Sequence, residues 1–185
     1  MLKKKEEYAI VLDFLLHGYP FDSTPGYKKT SIVQMIGKER LTLLEAVPKK
    51  GIHLKPQDEV YIGEGKRDKI HHVIGKLDSN KLTATAKAEL ELIVEEIVNN
   101  NEKRFVEFFN KAQPLTTRMH SLELLPGLGK KHMWEIIEAR REEPFVSFED
   151  IKKRVKLLPD PKKIIIKRIN SELMGDEKYT LFVDR

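Results

Sequence analysis

The chain has no cysteine and a single tryptophan. The first absence removes disulfides, thiolate metal sites and cysteine nucleophiles from consideration. No run of about 18 apolar residues occurs that could cross a membrane as a helix. The apolar run from Tyr8 to Leu16 is broken by Asp13 and lacks a small-residue cleavage site, so no secretory signal is read and a cytoplasmic location is expected. Catalytic signatures are also missing, with no Gly-x-Ser-x-Gly, P-loop or His-Glu-x-x-His pattern. His71 and His72 are adjacent in an expected strand and should face opposite sides, which is not a ligand pair. No catalytic or metal-binding residue is therefore assigned, and a non-enzymatic protein is expected.

Charge, by contrast, is plentiful. Charged residues make up 34% of the 185 residues, with 34 Lys plus Arg against 29 Asp plus Glu, a net charge of +5. The excess sits at both ends: 14 basic against 11 acidic residues in 1–78, 5 against 6 in 79–113, and 15 against 12 in 114–185. Two basic modules joined by a neutral connector fit a nucleic-acid partner, as does an ordinary solvated surface.

The first 78 residues read as short strands. Tyr8, Ile10, Leu12 and Phe14 alternate with Ala9, Val11 and Asp13, the period of a half-buried strand. Further strands are expected at 32–36, 41–47, 59–62 and 69–74, between turns rich in Gly, Pro and Lys. Five or six strands in so short a stretch imply a small closed barrel. The run from Leu54 to Gly63 resembles the turn and strand of OB-like and SH3-like barrels of translation and RNA proteins. Such barrels stack bases on aromatics and track the backbone with cations. Tyr19, Phe21, Tyr27 and Tyr61 are candidates for stacking or for plugging the barrel, and Lys66, Arg67 and Lys69 for phosphate contact. The glycines of Gly63-Glu64-Gly65 carry no dinucleotide signature and read as a mobile basic turn.

Next comes a helical connector. Ala86, Leu90, Ile93, Val94 and Ile97 form one stripe with Thr83 or Thr85 as its cap, and a second helix starts near Asn101 and stops before Pro114.

The most informative stretch is Leu124-Leu125-Pro126-Gly127-Leu128-Gly129-Lys130-Lys131. Leu115, Met119 and Leu122 predict a helix before it, and Met133, Ile136 and Ile137 predict one after it. Between them Gly127 and Gly129 permit positive φ and close backbone approach. A glycine-lined loop opening a helix points unpaired amides and the positive end of the helix dipole at an anion. His120 and His132 flank it. This stretch, with Ile136, Ile137 and Arg140 downstream, resembles the helix-hairpin-helix motif of non-sequence-specific nucleic-acid-binding proteins. The resemblance implies that the amides of Gly127, Leu128 and Gly129 hold a backbone phosphate, with Lys130 and Lys131 adding charge. Some members also bind a monovalent cation through hairpin carbonyls, which is the one cofactor the resemblance implies.

The motif is echoed 33 residues on, and one residue shorter, by Leu157-Leu158-Pro159-Asp160-Pro161-Lys162-Lys163. Ser147 to Asp150 reads as a capping-box variant with Val146 and Ile151 as its hydrophobic staple. The linker from Arg140 to Ile151 resembles that between tandem hairpins of bacterial DNA-uptake and repair proteins. In the second copy both glycines are gone, Asp160 stands where a phosphate would sit, and Pro161 removes an amide. A structural second hairpin is expected, with Lys162 and Lys163 still able to approach a phosphate. A last helix should end at Gly175, and Tyr179, Leu181 and Val183 alternate as in a strand returning to the barrel.

The expected fold class is α+β, an OB-like or SH3-like barrel (1–78), a helical connector (79–113), an all-α tandem helix-hairpin-helix (114–175) and a C-terminal strand (176–185). This combination resembles an archaeal family of uncharacterised proteins, domain of unknown function 655, usually described as RNA-binding. The expected function is non-catalytic, largely sequence-independent nucleic-acid binding, RNA before DNA. Alternatives are an interaction scaffold for transcription or translation machinery and a DNA-binding repair accessory; no membrane partner is expected.

Overall fold

The structure, a computed structural model, describes residues 5–184. It is mixed α+β. Among these residues five strands, β1 (Tyr8–Leu15), β2 (Ile32–Gly37), β3 (Leu43–Pro48), β4 (Glu59–Tyr61) and β5 (Ile70–Lys76), form one antiparallel sheet in the order β4-β1-β2-β3-β5. Five α-helices follow: α1 (Ala84–Asn100), α2 (Glu102–Lys111), α3 (Lys130–Glu142), α4 (Phe148–Arg154) and α5 (Pro161–Leu173). The chain divides into two compact units, one running to Ile93 and resuming at Glu172, the other from Val94 to Ser171.

In the first unit the strands share one apolar cluster that includes Ala9, Val11, Met35, Ala46, Val60 and Ile70. Val60 lies on one edge strand and Ile70 on the other. In a flat five-stranded sheet those edges would stand about 19 Å apart, four spacings of ~4.8 Å. Their common core is the product of a curled sheet. No β4–β5 pairing closes it among the described residues, so it is a half-barrel and not the closed barrel expected.

Three register shifts interrupt the sheet, one between β1 and β2 and two between β3 and β5, and two of them bear on the candidate side chains. In β1 the register against β2 shifts between Val11 and Asp13. The extra residue reverses the alternation, so Ala9, Val11 and then Phe14 face the cluster, and Tyr8 is left exposed. A second shift, between Val47 and Pro48 opposite β5, leaves His71 as the unpaired residue. The bulge turns its ring toward its neighbour: His71 Nδ1 and His72 Nδ1 are 2.8 Å apart, so the two imidazoles meet instead of facing opposite sides.

The other face of the sheet carries a polar network. Tyr19, buried, donates its hydroxyl to Glu45 (2.6 Å) and accepts from Gln34 Nε2 (3.2 Å). Gln34 also donates to the Lys81 carbonyl and accepts from the Thr83 amide. Thr83 donates to Asp13 and caps α1 by accepting the Ala86 amide. Burial first, then the Glu45 carboxylate, raises the Tyr19 hydroxyl pKa well above its ordinary value, outweighing the opposing bond from Gln34. Tyr19 is thus a loop anchor and not a stacking platform.

The C-terminal segment forms no strand among the described residues. Its amides at Leu181, Phe182 and Val183 are gathered by the Glu172 carboxylate at 2.9–3.1 Å, and Asp184 donates its amide to the Arg40 carbonyl. Glu172 is 1% exposed. Three backbone donors aimed at one carboxylate leave those amides unavailable to a ladder.

In the second unit the helices bury their apolar stripes as the sequence predicts, including Phe105, Phe109, Met133, Ile136 and Ile151. The helix expected before Gly127 is absent. Residues 115–118 form a bend bridged by Pro114 and His120, and only one 3-10 turn, Ser121–Leu124, follows. His120 fits that turn by accepting the Leu122 amide on Nδ1 (3.1 Å), while Glu123 accepts the His120 amide. The staple is also corrected: Val146 is 75% exposed, and Phe145 is the buried residue at this corner. Ser147 does cap α4, accepting the Asp150 amide.

Candidate nucleic-acid interface

The first turn, residues 125–129, connects the 3-10 turn to α3. Gly127 has φ +80°, and a Cβ there would sit 3.3 Å from Pro159 Cγ, so the turn is glycine-dependent and lies beside the second turn. Gly129 differs. It is the extended N-cap of α3, and a Cβ on it would meet nothing within 4 Å. The space in front of the α3 N-terminus is open.

The Leu128 amide does not face that space, because it donates to the Leu125 carbonyl (3.2 Å) and its side chain is buried. This corrects its expected role as a donor. The remaining amides are the available ones. The first helical bond of α3 is Met133 N–H to the Gly129 carbonyl (3.1 Å). Those of Gly127, Gly129, Lys130, Lys131 and His132 find no acceptor among the described residues. Lys130 and Lys131 are exposed at the same end.

The second turn has the same backbone plan with opposite chemistry. Leu157, at φ +65°, occupies the place of Gly127, so the structural repeat is 30 residues and not the 33 of the Leu-Leu-Pro echo. The second turn also takes one residue more, not fewer, to reach its helix, from Leu157 to Pro161 against Gly127 to Lys130. Asp160 then stands immediately before α5 and caps it. Its Oδ1 accepts the Lys162 amide (3.0 Å) and the Lys163 amide (3.4 Å), and Lys152 stands 3.4 Å from Oδ2. Burial pulls the Asp160 pKa upward, but the Lys163 amide, the Lys152 charge and the Lys162 amide together outweigh it and leave it lowered. The carboxylate is ionised at neutral pH and satisfies internally what the first turn leaves open.

Several basic residues serve the fold. Arg140 donates to the Phe109 and Ala112 carbonyls at the end of α2, Arg154 to the Ala139 and Glu143 carbonyls at the end of α3, and Arg168 to the Leu124 carbonyl. His120 is buried, and desolvation first, then the Arg140 charge, lowers its pKa despite Glu123, keeping it neutral as a backbone acceptor. These groups build the turn and do not face outward from it.

Trp134, 55% exposed and one helical turn beyond Lys130, lies on the face of α3 that carries the two lysines. Sequence reasoning passed over it, although it falls outside the Met133, Ile136 and Ile137 stripe.

In the half-barrel unit, Lys66, Arg67 and Lys69 lie in the turn between β4 and β5. That turn is braced. The Tyr61 hydroxyl accepts the Gly65 amide (3.0 Å), Arg67 Nε donates to the Gly63 carbonyl (2.8 Å), and a Cβ at Gly63 would collide with the Tyr61 hydroxyl. Lys66 and Lys69 are exposed, while Arg67 is partly buried. Of the aromatic candidates Tyr27 is 85% and Phe21 67% exposed, whereas Tyr61 packs edge-on against Tyr8. The Lys66 group belongs to one compact unit; the first turn, Lys162 and Lys163 belong to the other.

The protein is thus an α+β chain with a curled antiparallel sheet and paired helix-opening turns. The model of a family described as a protein of unknown function, DUF655, matches residues 5–184, and the chain belongs to that family. It is 46% identical over 183 residues to uncharacterized protein MJ0038 of Methanocaldococcus jannaschii, a match covering 98% of this chain and 81% of that protein. The crystal structure of Af1531 from Archaeoglobus fulgidus, a DUF655 chain, is similar at TM-score 0.82 and 46% identity, over 97% of this chain and 100% of that one. Both relatives come from archaea.

Proposed function

We propose that this protein is a non-catalytic nucleic-acid-binding protein, with RNA favoured over DNA, whose first turn holds a backbone phosphate. In this reading the two turns form a tandem helix-hairpin-helix and the curled sheet is the open form of an OB-like or SH3-like barrel. One observation carries it. Two turns of the same backbone plan lie side by side, and the one without an internal carboxylate leaves the amides of Gly127, Gly129, Lys130, Lys131 and His132 without an acceptor among the described residues, with open space at Gly129. A phosphate there would occupy the position that Asp160 fills in the second turn, with Lys130 and Lys131 supplying charge. Lys162 and Lys163 have already given their amides to Asp160, so only their side chains could reach a strand. The basic turn of Lys66, Arg67 and Lys69 supplies a second contact surface, and two weak contacts on one chain gain through effective concentration. Binding through phosphates is sequence-independent.

A salt series on single-stranded RNA, duplex RNA and duplex DNA tests this. Neutralising about four phosphates gives a log-log slope near −3 to −4, and a slope near zero removes the reading. One observation favours a protein partner instead. Trp134 and Leu157, 55% and 87% exposed, line one groove with Glu135, Glu138 and Glu142 and with Arg154 and Lys156. Arg154 is already held by Asp150 and by the Ala139 and Glu143 carbonyls. An apolar anchor beside three carboxylates and one lysine therefore fits a peptide with an apolar residue and a net positive charge, and absence of any nucleic-acid binding by the intact chain would make this the better reading.

A further inference from the structure

The half-barrel unit contains a cavity of about 450 Å³, which shares Arg67 with the basic turn between β4 and β5. Its size lies within the ~300–1,000 Å³ of small-molecule sites. Leu44, Ile62 and Val73 give it apolar wall, and Lys5, Arg67, His72 and Lys76 surround them.

The charge balance inside is decisive. Two carboxylates line the cavity, and both are engaged. Asp184 pairs with Arg40 at 3.3 Å. Glu6 accepts the amides of Glu39 and Arg40 at 2.9 and 2.6 Å, with Thr42 at 3.5 Å. Lys5, Arg67 and Lys76 have no carboxylate partner among the described residues. Arg67 is held by its Nε on the Gly63 carbonyl, which fixes the guanidinium plane and leaves its two terminal nitrogens to a ligand.

Such a site asks for a ligand with a flat apolar body and an anionic end. We infer that this cavity takes one unpaired nucleotide, its base against Leu44, Ile62 and Val73 and its phosphate on Lys5, Arg67 and Lys76. Guanidinium and imidazole planes stack on bases, and protein recognition of RNA works largely through unpaired bases. The inference deepens the nucleic-acid reading and rests on it for the identity of the ligand class. It also gives that reading a source of preference for single strands, which a phosphate cradle alone does not supply. The nucleotide is either part of a strand or a free nucleoside monophosphate, since both present the same chemistry.

The experiment is an amide-resolved NMR titration of the isotope-labelled full chain with the four nucleoside 5′-monophosphates, a six-nucleotide single-stranded RNA and inorganic phosphate. The inference expects saturable shifts at Arg67, His72, Val73 and Lys76 with a nucleotide ligand and none at the same concentration of inorganic phosphate. Shifts with the oligonucleotide alone identify a strand as the source, and shifts with monophosphates alone identify a free nucleotide. Lys76→Glu should weaken these shifts at least tenfold with the rest of the spectrum unchanged, and Arg67→Gln should do the same. Gly129→Asp should leave them intact. No shift at these residues, equal shifts with inorganic phosphate, or undiminished shifts in both variants overturns the inference. The hairpin reading stands or falls separately on the Gly129, Lys130 and Lys131 amides in the same spectra.

Discussion

Replacing Gly129 by aspartate transplants the chemistry of the second turn into the first. Gly129 already has an extended N-cap backbone, φ −97° and ψ −173°, and a side chain there meets no atom within 4 Å. Aspartate is a preferred N-cap, better than glycine by a few tenths of a kcal/mol, and loss of glycine's freedom in the unfolded chain adds about 0.4–1 kcal/mol. The variant should therefore be as stable as the parent or up to ~1 kcal/mol more stable. That gain would raise Tm by about 2–4 °C for a chain of this size. Its carboxylate would accept the Lys131 and His132 amides as Asp160 accepts those of Lys162 and Lys163. A phosphate would then find its donors taken and a negative charge in its place. With charge-assisted bonds worth roughly 1.5–3 kcal/mol each, affinity should fall at least about tenfold. Thermal denaturation and a binding isotherm at one salt concentration measure the two quantities together. Unchanged affinity in a folded variant refutes the cradle. Gly127→Asp is a poorer probe, because φ +80° and Pro159 at 3.3 Å penalise any side chain.

Other substitutions test the surrounding structure. Leu157 sits at φ +65° with 87% of its surface exposed, so Leu157→Gly should relieve about 1 kcal/mol of left-handed strain, partly offset by unfolded-state entropy, and raise the denaturation midpoint. Native His120 is neutral, with its pKa below the ordinary 6.5. The unfolded chain therefore takes up a proton first: the contribution of His120 is complete above pH 6.5 and is lost as pH falls through the native value. His120→Asn, which keeps an acceptor at the cap, should flatten the decline in stability between pH 7 and 5, and an unchanged decline would remove His120 from the account. Glu172→Ala should strand the amides of Leu181, Phe182 and Val183, costing roughly 2–3 kcal/mol and exposing the C-terminal segment to limited proteolysis.

Much of this architecture was legible in the sequence, for reasons that can be named. The strands at 32–37, 59–61 and 70–76 and the stripe of α1 follow hydrophobic period alone, and Ser147 and Thr83 mark helix starts through local hydrogen bonds. Chemistry of the second turn was legible too, because Asp160 and Pro161 act on backbone amides within three residues. What escaped depends on partners distant in sequence or on one added residue. The bulges that reverse β1 and bring His71 onto His72 are set by cross-strand register. Leu157 is not a residue that announces a positive φ, so the Leu-Leu-Pro echo gave the wrong repeat length. Tyr19 looked like an exposed loop aromatic, and only its bonds to Glu45 and Gln34, 26 and 15 residues away, bury it.

The most direct measurement is the amide-resolved titration of the intact chain with single-stranded RNA and duplex DNA, followed at the two turns. The account predicts saturable, salt-sensitive shifts at Gly129, Lys130, Lys131 and His132 and none at the Lys162 and Lys163 amides held by Asp160. Shifts confined to Lys162 and Lys163, or binding that leaves all six amides unmoved, would contradict it.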